Sequence, residues 1–255
     1  MERIGRKPFQ GILNIIRFNW HYYVISALLI AVLLISQSYL PDLFRKVFIT
    51  SALLALLNIF LSLAASFYIY DLSNLYSLDW LNDLAVSKGS QLININAGFD
   101  ETSGLLLKKY PDSILTVFDF YDAKKHTEIS IERARKAYPA FPGTKAILTS
   151  AIPLQENSAD CIFLILAAHE IRNSEERILF FRQLKNFIRT DGKIIVVEHQ
   201  RDFMNFLAYT IGFFHFHSNK TWKNTFSSSG LIISSENKLT PFLSIFTLTK
   251  NGTAS

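Results

Sequence analysis

Two clusters of ionisable side chains directly follow apolar segments in the second half of the chain. The first is HEIR, residues 169–172, and the second is EHQRD, residues 198–202. An imidazole or a carboxylate in such a place can take a proton from an oxygen or nitrogen nucleophile. We therefore predict catalytic roles for His169, Glu170, His199 and Arg201. The alternative is structural, in which charged neighbours within each cluster form ion pairs that close the end of a sheet.

An aromatic segment, residues 203–222, follows the second cluster and sets two histidines between phenylalanines. Such a segment would contact an apolar or amphiphilic acceptor molecule, for example a lipid or a quinone-like ring. The residues predicted to contact this acceptor are Arg172, Glu198, Asp202, Tyr209, His215 and His217. The alternative is a helix whose apolar face packs on a bilayer or on the core, which is the more ordinary use of an apolar stripe.

The same histidines and carboxylates raise the question of a metal site, since such mixtures suit zinc or non-haem iron. The candidates His169, Glu198, His199, His215 and His217 contain no HExxH pair and have no regular ligand spacing. We assign no metal ligands from the sequence, and a metal-dependent enzyme stays open as an alternative.

The elements that must position these side chains follow from the alternation of apolar runs with amphipathic segments. Helices are predicted over residues 71–86, 101–109, 129–138, 173–190 and 220–228. Strands are predicted over residues 91–96, 113–120, 145–150, 161–167, 193–198, 231–238 and 243–250. This order predicts an α/β domain with a doubly wound, mostly parallel seven-stranded sheet. The last strands have no helix between them, so an antiparallel arrangement is expected there.

In an open α/β sheet, ligands bind beyond the carboxyl ends of the strands, so the loop after the first strand is a candidate cofactor site. That loop contains Gly98, with Asn96 and Asp100 where further glycines would be expected. Asp119 follows about 20 residues after Gly98, the spacing at which a carboxylate binds ribose hydroxyls.

The order of these motifs resembles the class I S-adenosylmethionine (SAM)-dependent methyltransferases over residues 71–255. The run NINAGFD at 94–100 is similar to the acidic-x-Gly-x-Gly-x-Gly loop of the family, and VFDFYD, AIPLQENSADCIF and LKNFIRTDGKIIVVE are similar to its later motifs. The resemblance implies SAM as cofactor, held by Asn96, Ala97, Gly98, Phe99, Asp119, Phe120, Ser150 and Ala151. Where the family has glycine, the Asn96 amide would either fill the space for the methionine end of SAM or hydrogen-bond it.

The N-terminal part of the chain carries two long uncharged apolar segments, residues 22–40 and 47–70. Each is long enough to cross the roughly 30 Å hydrocarbon core of a bilayer as a helix. Residues 1–70 are therefore predicted as a membrane anchor, a hairpin of two transmembrane helices, and residues 71–255 as a Rossmann-like domain. The alternative is a hairpin that lies in one leaflet or packs on a partner.

Basic residues predict the orientation of this hairpin. Arg3, Arg6, Lys7 and Arg17 precede the first span, whereas only Arg45 and Lys46 lie in the turn. This bias predicts an inner (cytoplasmic) membrane protein with its C-terminal domain facing the cytosol.

Composition agrees with this interpretation. The chain of 255 residues is 49% hydrophobic and only 18% charged, with a formal net charge of +5. The single Cys161 excludes an intramolecular disulfide. No basic stripe with interleaved aromatic residues indicates a nucleic-acid partner. The sequence therefore predicts a methyltransferase anchored in a lipid bilayer and acting on a small-molecule or lipid-like acceptor. The alternative from another class is a non-catalytic membrane scaffold that retains the fold.

Overall fold

The strands form one seven-stranded mixed sheet in the order β3-β2-β1-β4-β5-β7-β6. We describe residues 6–125 and 128–250 from a computed structural model. The strands are β1 (Gln91–Asn96), β2 (Ile114–Asp119), β3 (Lys145–Ala146), β4 (Ala159–Ile165), β5 (Ile188–His199), β6 (Ile232–Thr240) and β7 (Leu243–Thr249). β1 to β5 are parallel, and β7 pairs antiparallel with both β5 and β6. The predicted doubly wound sheet is confirmed, and so is the antiparallel arrangement of the last strands: β7 is reversed, and β6 runs in the direction of β1 to β5.

Helices cover both faces of this sheet and form the N-terminal hairpin. They are α1 (Gln10–Phe18), α2 (Trp20–Ser36), α3 (Asp42–Phe67), α4 (Ser103–Lys109), α5 (Ile129–Ala137), α6 (Ser174–Phe187), α7 (Phe203–Tyr209) and α8 (Asn219–Ser228). β4 shows how the sheet separates two cores, because successive strand residues point to opposite faces. Ile162 and Leu164 pack with α6 and α8, whereas Cys161 and Phe163 pack with the segment that follows α3.

The segment after α3 does not form the predicted helix over residues 71–86. A π-helical turn ends at Leu72, and only the short 3-10 turn Asp79–Leu81 follows. The Ser73 hydroxyl donates to the Ile69 carbonyl and accepts from the Leu75 amide, which ends the helix. Leu78 then adopts a left-handed backbone conformation with φ 59°. The leucines with helical spacing are therefore buried by an irregular chain that follows the sheet surface.

Two strand boundaries also differ from the prediction. β5 begins at Ile188, directly after α6, so residues expected at the end of a helix pair with β4 instead. A Cβ on Gly192 would lie 2.9 Å from the Ala159 carbonyl oxygen, so glycine permits this close pairing. β3 has only two residues, and the remainder of the predicted strand forms a turn closed from the Ala151 amide to the Leu148 carbonyl.

The N-terminal hairpin contains two helices long and apolar enough to cross a membrane, by length and composition. They extend over Trp20–Tyr39 and Asp42–Leu72, with mean hydropathy of 1.7 and 2.3. Only 6% of each apolar window is buried within the chain. The amphipathic helix α1, which the sequence analysis did not predict, precedes the hairpin and packs against α3 and α5.

Candidate functional site: a cavity beside β1 and β2 and a histidine–carboxylate cluster

A small cavity lies at the carboxyl ends of β1 and β2, where an open α/β sheet binds its ligands. Its volume is about 70 Å³. It is lined by the loop after β1, by the end of β2 and by the chain around the end of α5, through Asn96, Gly98, Phe99, Asp100, Asp119, Arg135, Tyr138, Pro139, Ala140, Phe141 and Thr144. Four of the eight residues predicted to bind cofactor therefore line this cavity. A larger open cavity of about 450 Å³ lies at the opposite, amino end of β1.

The Asn96 side chain is held by the backbone around it. Its Nδ2 donates to the Phe118 carbonyl at 3.1 Å, and its Oδ1 accepts from the Gly98 amide at 3.1 Å. The amide group thus joins β1 to β2 and fixes the turn that follows. Gly98 has φ 101°, and a Cβ there would lie 2.9 Å from the Tyr121 ring. This one position of the loop requires glycine for both conformation and space.

The Asp119 carboxylate points into the cavity but already has partners. It accepts a hydrogen bond from the Tyr121 amide at 2.9 Å and forms an ion pair with Arg135. Arg135 also donates to the Gly98 carbonyl at 3.3 Å and stacks over the Tyr121 ring. The guanidinium group of α5 therefore lies across the carboxylate that was predicted to bind ribose. No sequence pattern marks Arg135 as a site residue, because its contact depends on how α5 packs over β2.

Asp100 contributes a second carboxylate to the same cavity. Its Oδ1 accepts from the amides of Thr102 and Ser103, both at 2.9 Å, and so holds the amino end of α4. Its Oδ2 is buried and has no hydrogen-bond partner in the described part of the chain. A buried carboxylate oxygen without a partner is costly, and a cationic group of a ligand would satisfy it.

Four other residues predicted to bind the cofactor lie outside the cavity lining. Ala97 is buried, and Phe120 packs against Phe180 with ring centroids 5.7 Å apart. Ser150 and Ala151 lie in the turn after β3 and are exposed. Strand alternation explains Phe120, because it follows Asp119 directly and points to the other side.

A cluster of two histidines and three carboxylates lies beyond the carboxyl ends of β4 and β5. His169 Nδ1 lies 2.6 Å from Glu198 Oε2, and His215 Nδ1 lies 2.6 Å from Glu128 Oε1. The opposite nitrogens face one carboxylate oxygen, since Glu170 Oε1 is 3.2 Å from His169 Nε2 and 3.3 Å from His215 Nε2. Five side chains from four parts of the chain thus form one network.

The charges of this network support one another. Burial opposes protonation of His169, but the Glu198 carboxylate and then Glu170 outweigh it and raise the pKa of His169 to about 10. Burial would raise the pKa of Glu170, yet hydrogen bonds from His169 and His215 hold it far below its usual range. Partial burial would also raise the pKa of Glu128, but the hydrogen bond from His215 outweighs it, so the pKa of Glu128 is lowered.

Two arginines border the histidine–carboxylate cluster. Arg172 is exposed and hydrogen-bonds His215, with Nη2 2.6 Å from Nε2. Arg177 is buried, donating to the Ile171 carbonyl at 2.8 Å and to His217 Nε2 at 3.1 Å. Burial and the Arg177 charge lower the pKa of His217 to about 3, so this imidazole is neutral and accepts the hydrogen bond.

The second predicted cluster, residues 198–202, does not converge on the first as a whole. Only Glu198 reaches His169. His199 points to the opposite face, where its Nδ1 is 2.9 Å from Asn205 Oδ1 and its Nε2 is 3.0 Å from the Tyr70 hydroxyl. Burial lowers the pKa of His199 to about 4, which leaves the ring neutral. The Phe216 ring stacks on His199, with ring centroids 4.6 Å apart, and also packs edge-on against His169 at 6.3 Å. It therefore contacts both His199 and His169.

Arg201, Asp202 and Tyr209 support the aromatic segment. Arg201 donates to the carbonyls of Phe216 at 2.9 Å and Phe214 at 2.6 Å. Asp202 caps α7 by accepting from the Asn205 amide at 3.0 Å. Tyr209 is packed edge-on against His199, with ring centroids 5.6 Å apart. These contacts hold the chain rather than open towards the cavity.

The aromatic segment exposes apolar side chains beside the hairpin. α7 packs against α3, and a 3-10 turn leads from α7 to His215 of the cluster. Its exposed apolar residues are Phe203, Met204, Phe206, Leu207, Ile211 and Phe214. The segment therefore connects the apolar helices with the histidine–carboxylate cluster.

Helix α5 links the cavity to the cluster. Glu128, which precedes its first turn, contacts His215, whereas Arg135 contacts Gly98 and Asp119. Seven residues of helix correspond to a separation of about 10 Å. The geometry therefore gives two neighbouring sites along one edge of the sheet.

Comparison with known proteins rests on structure, since no family model and no curated protein matches the sequence. An O-methyltransferase family 2 protein from Planctomyces limnophilus, solved with apigenin, is 14% identical with a TM-score of 0.51, covering 76% of this chain and 61% of that one. A SAM-dependent methyltransferase from Aquifex aeolicus is 12% identical (69% and 89% covered, TM-score 0.49). A geranyl diphosphate C-methyltransferase from Streptomyces coelicolor is 8% identical (69% and 78%, 0.48). Together with the strand order, the likeness to the Planctomyces protein shows that this chain shares the α/β fold of that O-methyltransferase.

Proposed function

We propose that this chain is a membrane-anchored SAM-dependent methyltransferase that acts on an apolar or amphiphilic small molecule. The observation that carries the proposal is the pair of carboxylates, Asp100 and Asp119, in one cavity at the carboxyl ends of β1 and β2. The fold alone does not define an activity. The chemistry of these two side chains matches the two polar ends of SAM.

The residues fit SAM in charge and position. Asp119 would accept from the ribose hydroxyls, and the partnerless Oδ2 of Asp100 would accept from the methionine ammonium group. Gly98 provides the close backbone approach, and Asn96 leaves that space free because its amide is bound to backbone. The bound cofactor would supply an electrophilic sulfonium methyl group. Ligand sites usually measure at least about 300 Å³, so binding would require Arg135, which lines the cavity, to move aside.

The acceptor would bind between the cavity and the bilayer. Methyl transfer depends chiefly on the alignment of the reacting groups. We place the polar group of the acceptor at His169, Glu170 and His215, and its apolar part along α7. His199, Arg201 and Asp202 would act through packing, since their polar atoms are bonded within the chain.

Cofactor binding tests this proposal directly. The full chain in detergent is titrated with S-adenosylhomocysteine by calorimetry, and Asp119→Asn should weaken binding at least about tenfold, since a hydrogen-bonded charge contributes ~1.5–3 kcal/mol. Asp112→Asn is the matched control, because Asp112 is exposed at the amino end of β2. Equal loss in both variants, or no binding to folded protein at millimolar ligand, would remove the proposal.

The second candidate function is a non-catalytic membrane scaffold with the same fold. The observation in its favour is the small volume of the cavity, about 70 Å³, in which the Asp119 carboxylate is already ion-paired with Arg135. Absence of S-adenosylhomocysteine binding, with normal membrane insertion, is the result that this alternative predicts.

Membrane anchoring is proposed from the hairpin and from the apolar surface beside it. α2 and α3 expose most of their side chains, and α7 continues that surface onto the α/β domain. The hairpin would span the bilayer with both outer ends on the cytosolic side. The only cysteine is buried, and burial raises its pKa, so cysteines introduced elsewhere can be labelled selectively.

Thiol labelling of intact cells tests this topology. A membrane-impermeant maleimide should label Ser38→Cys in the hairpin turn but label Ser87→Cys only after permeabilisation. Both positions are exposed in the folded chain. Equal labelling of the two variants in intact cells would contradict a spanning hairpin.

A further inference from the structure

We propose that His169, Glu170 and His215 form a binding site for a divalent transition-metal ion of the zinc or ferrous-iron type. The ligand atoms of these three residues all lie within 4.8 Å of one another. Glu170 Oε1 is 3.2 Å from His169 Nε2 and 3.3 Å from His215 Nε2. Around an ion with bonds of about 2.1 Å, neighbouring ligand atoms are ~3.0 Å apart in octahedral and ~3.4 Å apart in tetrahedral geometry. Both observed separations fall within this range.

The orientation of the two imidazoles is the second, independent observation. Each ring places Nδ1 against a carboxylate, His169 on Glu198 and His215 on Glu128, both at 2.6 Å. A metal-binding histidine typically donates its other ring N–H to a carboxylate, which fixes the ring and raises its basicity. Here two histidines have such a partner, and both point their remaining nitrogen towards the same Glu170 oxygen.

The ligand set indicates the type of ion. Two imidazoles and one carboxylate suit zinc or ferrous iron, whereas magnesium and calcium prefer ligand sets made of oxygen. Three protein ligands leave at least one coordination position open, as in catalytic rather than structural sites. That position would face the acceptor region beyond β4. The metal site stands whether or not the chain transfers methyl groups.

Arg172 is one group that opposes metal binding, and the proton that His169 would have to release is another, since a metal-binding imidazole is neutral. The Nη2 of Arg172 contacts both ring nitrogens of His215, and its positive charge repels a cation. The side chain is exposed and can turn into solvent. The remaining charged groups facing the site are the carboxylates of Glu128, Glu170 and Glu198, with buried Arg177 behind them. Removal of Arg172 should therefore strengthen metal binding.

Metal titration of the full chain in detergent tests the proposal. After treatment with a chelator, Co²⁺ is added and its visible absorption is followed, and Zn²⁺ is then used in competition. We expect one ion per chain, bound at micromolar concentration or tighter. Glu170→Gln should abolish the signal. Glu128→Gln should weaken binding by about 10–100-fold, as loss of an orienting carboxylate does, and Arg172→Ala should tighten it.

The controls separate a metal site from general histidine binding and from misfolding. His21→Gln removes a histidine that contacts Arg133 instead of the cluster and should leave the titration unchanged. Glu128 is half exposed, so its substitution keeps the test valid even where Glu170→Gln does not fold. The absence of a bound ion would overturn the proposal. It would also be overturned if Glu128→Gln and Arg172→Ala bound Co²⁺ with the same affinity as His21→Gln.

Discussion

Substitution of Arg135 by glutamine should increase the affinity of the chain for S-adenosylhomocysteine. Arg135 forms an ion pair with Asp119 and lies across the cavity, so a ligand that uses this carboxylate must first displace the guanidinium. The Arg135 side chain is 38% exposed and Asp119 only 9%. Exposed pairs contribute ~0.2–1 kcal/mol and hydrogen bonds to charged groups ~1.5–3 kcal/mol. For this half-exposed pair we take about 1 kcal/mol, which corresponds to about fivefold tighter binding.

Calorimetric titration of the wild type, Arg135→Gln and Lys136→Gln measures this difference. Lys136 is the matched control, because it lies on the same helix and forms its ion pair with Glu132, one turn before it. Asp119 keeps its hydrogen bond from the Tyr121 amide in every variant and so stays oriented. Weaker binding by Arg135→Gln would show that the arginine holds the ligand, and unchanged binding would show that it does not compete. Either result would refute the reasoning.

Three further predictions concern the fold around the site. Trp222→Ala removes a fully buried ring between α6 and the sheet and should cost ~3–5 kcal/mol, lowering the melting temperature by about 10 °C in a thermal scan. Tyr70→Phe leaves His199 Nε2 without its donor and should cost about 1 kcal/mol, whereas Tyr68→Phe, at an exposed ring, should leave the melting temperature unchanged. Because the pKa of His199 is lowered to about 4, the unfolded chain takes up this proton near pH 6.5 while the folded chain does not. The stabilisation that wild type has over His199→Gln in chemical unfolding should therefore shrink by up to ~3 kcal/mol as the pH falls from about 6.5 to about 4, and a difference independent of pH would contradict a neutral buried imidazole.

The parts of the site that depend on strand alternation and local spacing could be predicted from the sequence. Asp119 follows a buried strand at the distance expected after Gly98, and it does line the cavity. The same rule would have separated Glu198 from His199, since consecutive residues of a strand point to opposite faces. Treating residues 198–202 as one converging cluster overlooked this alternation. The helical spacing of Leu75, Leu78 and Leu81 misled for a different reason, because an irregular chain over a sheet can bury the same leucines.

The contacts that complete both sites join distant parts of the chain. Glu170 and His215 are 45 residues apart, and Glu128 reaches His215 from the start of α5. Arg135 reaches from the last turn of α5 to the end of β2. No local pattern marks these partners, because they meet only after α5 and the aromatic segment have packed. The small volume of the cavity also depends on this packing, because Arg135 of α5 lines the cavity and pairs with Asp119.

The packing of α1 makes the apolar hairpin a separable insertion. Asp71, beyond the last turn of α3, accepts from the amides of Gly11 and Ile12 at 2.8 and 2.7 Å, so the chain leaves the hairpin beside the start of α1. It enters the hairpin at the other end of α1, after Phe18, which packs on Phe99 of the cofactor loop. The two junctions are thus about 11 Å apart, the length of seven helical residues, and about four extended residues could join them. Helix α1 therefore packs as part of the α/β domain, although the hairpin divides the two in sequence.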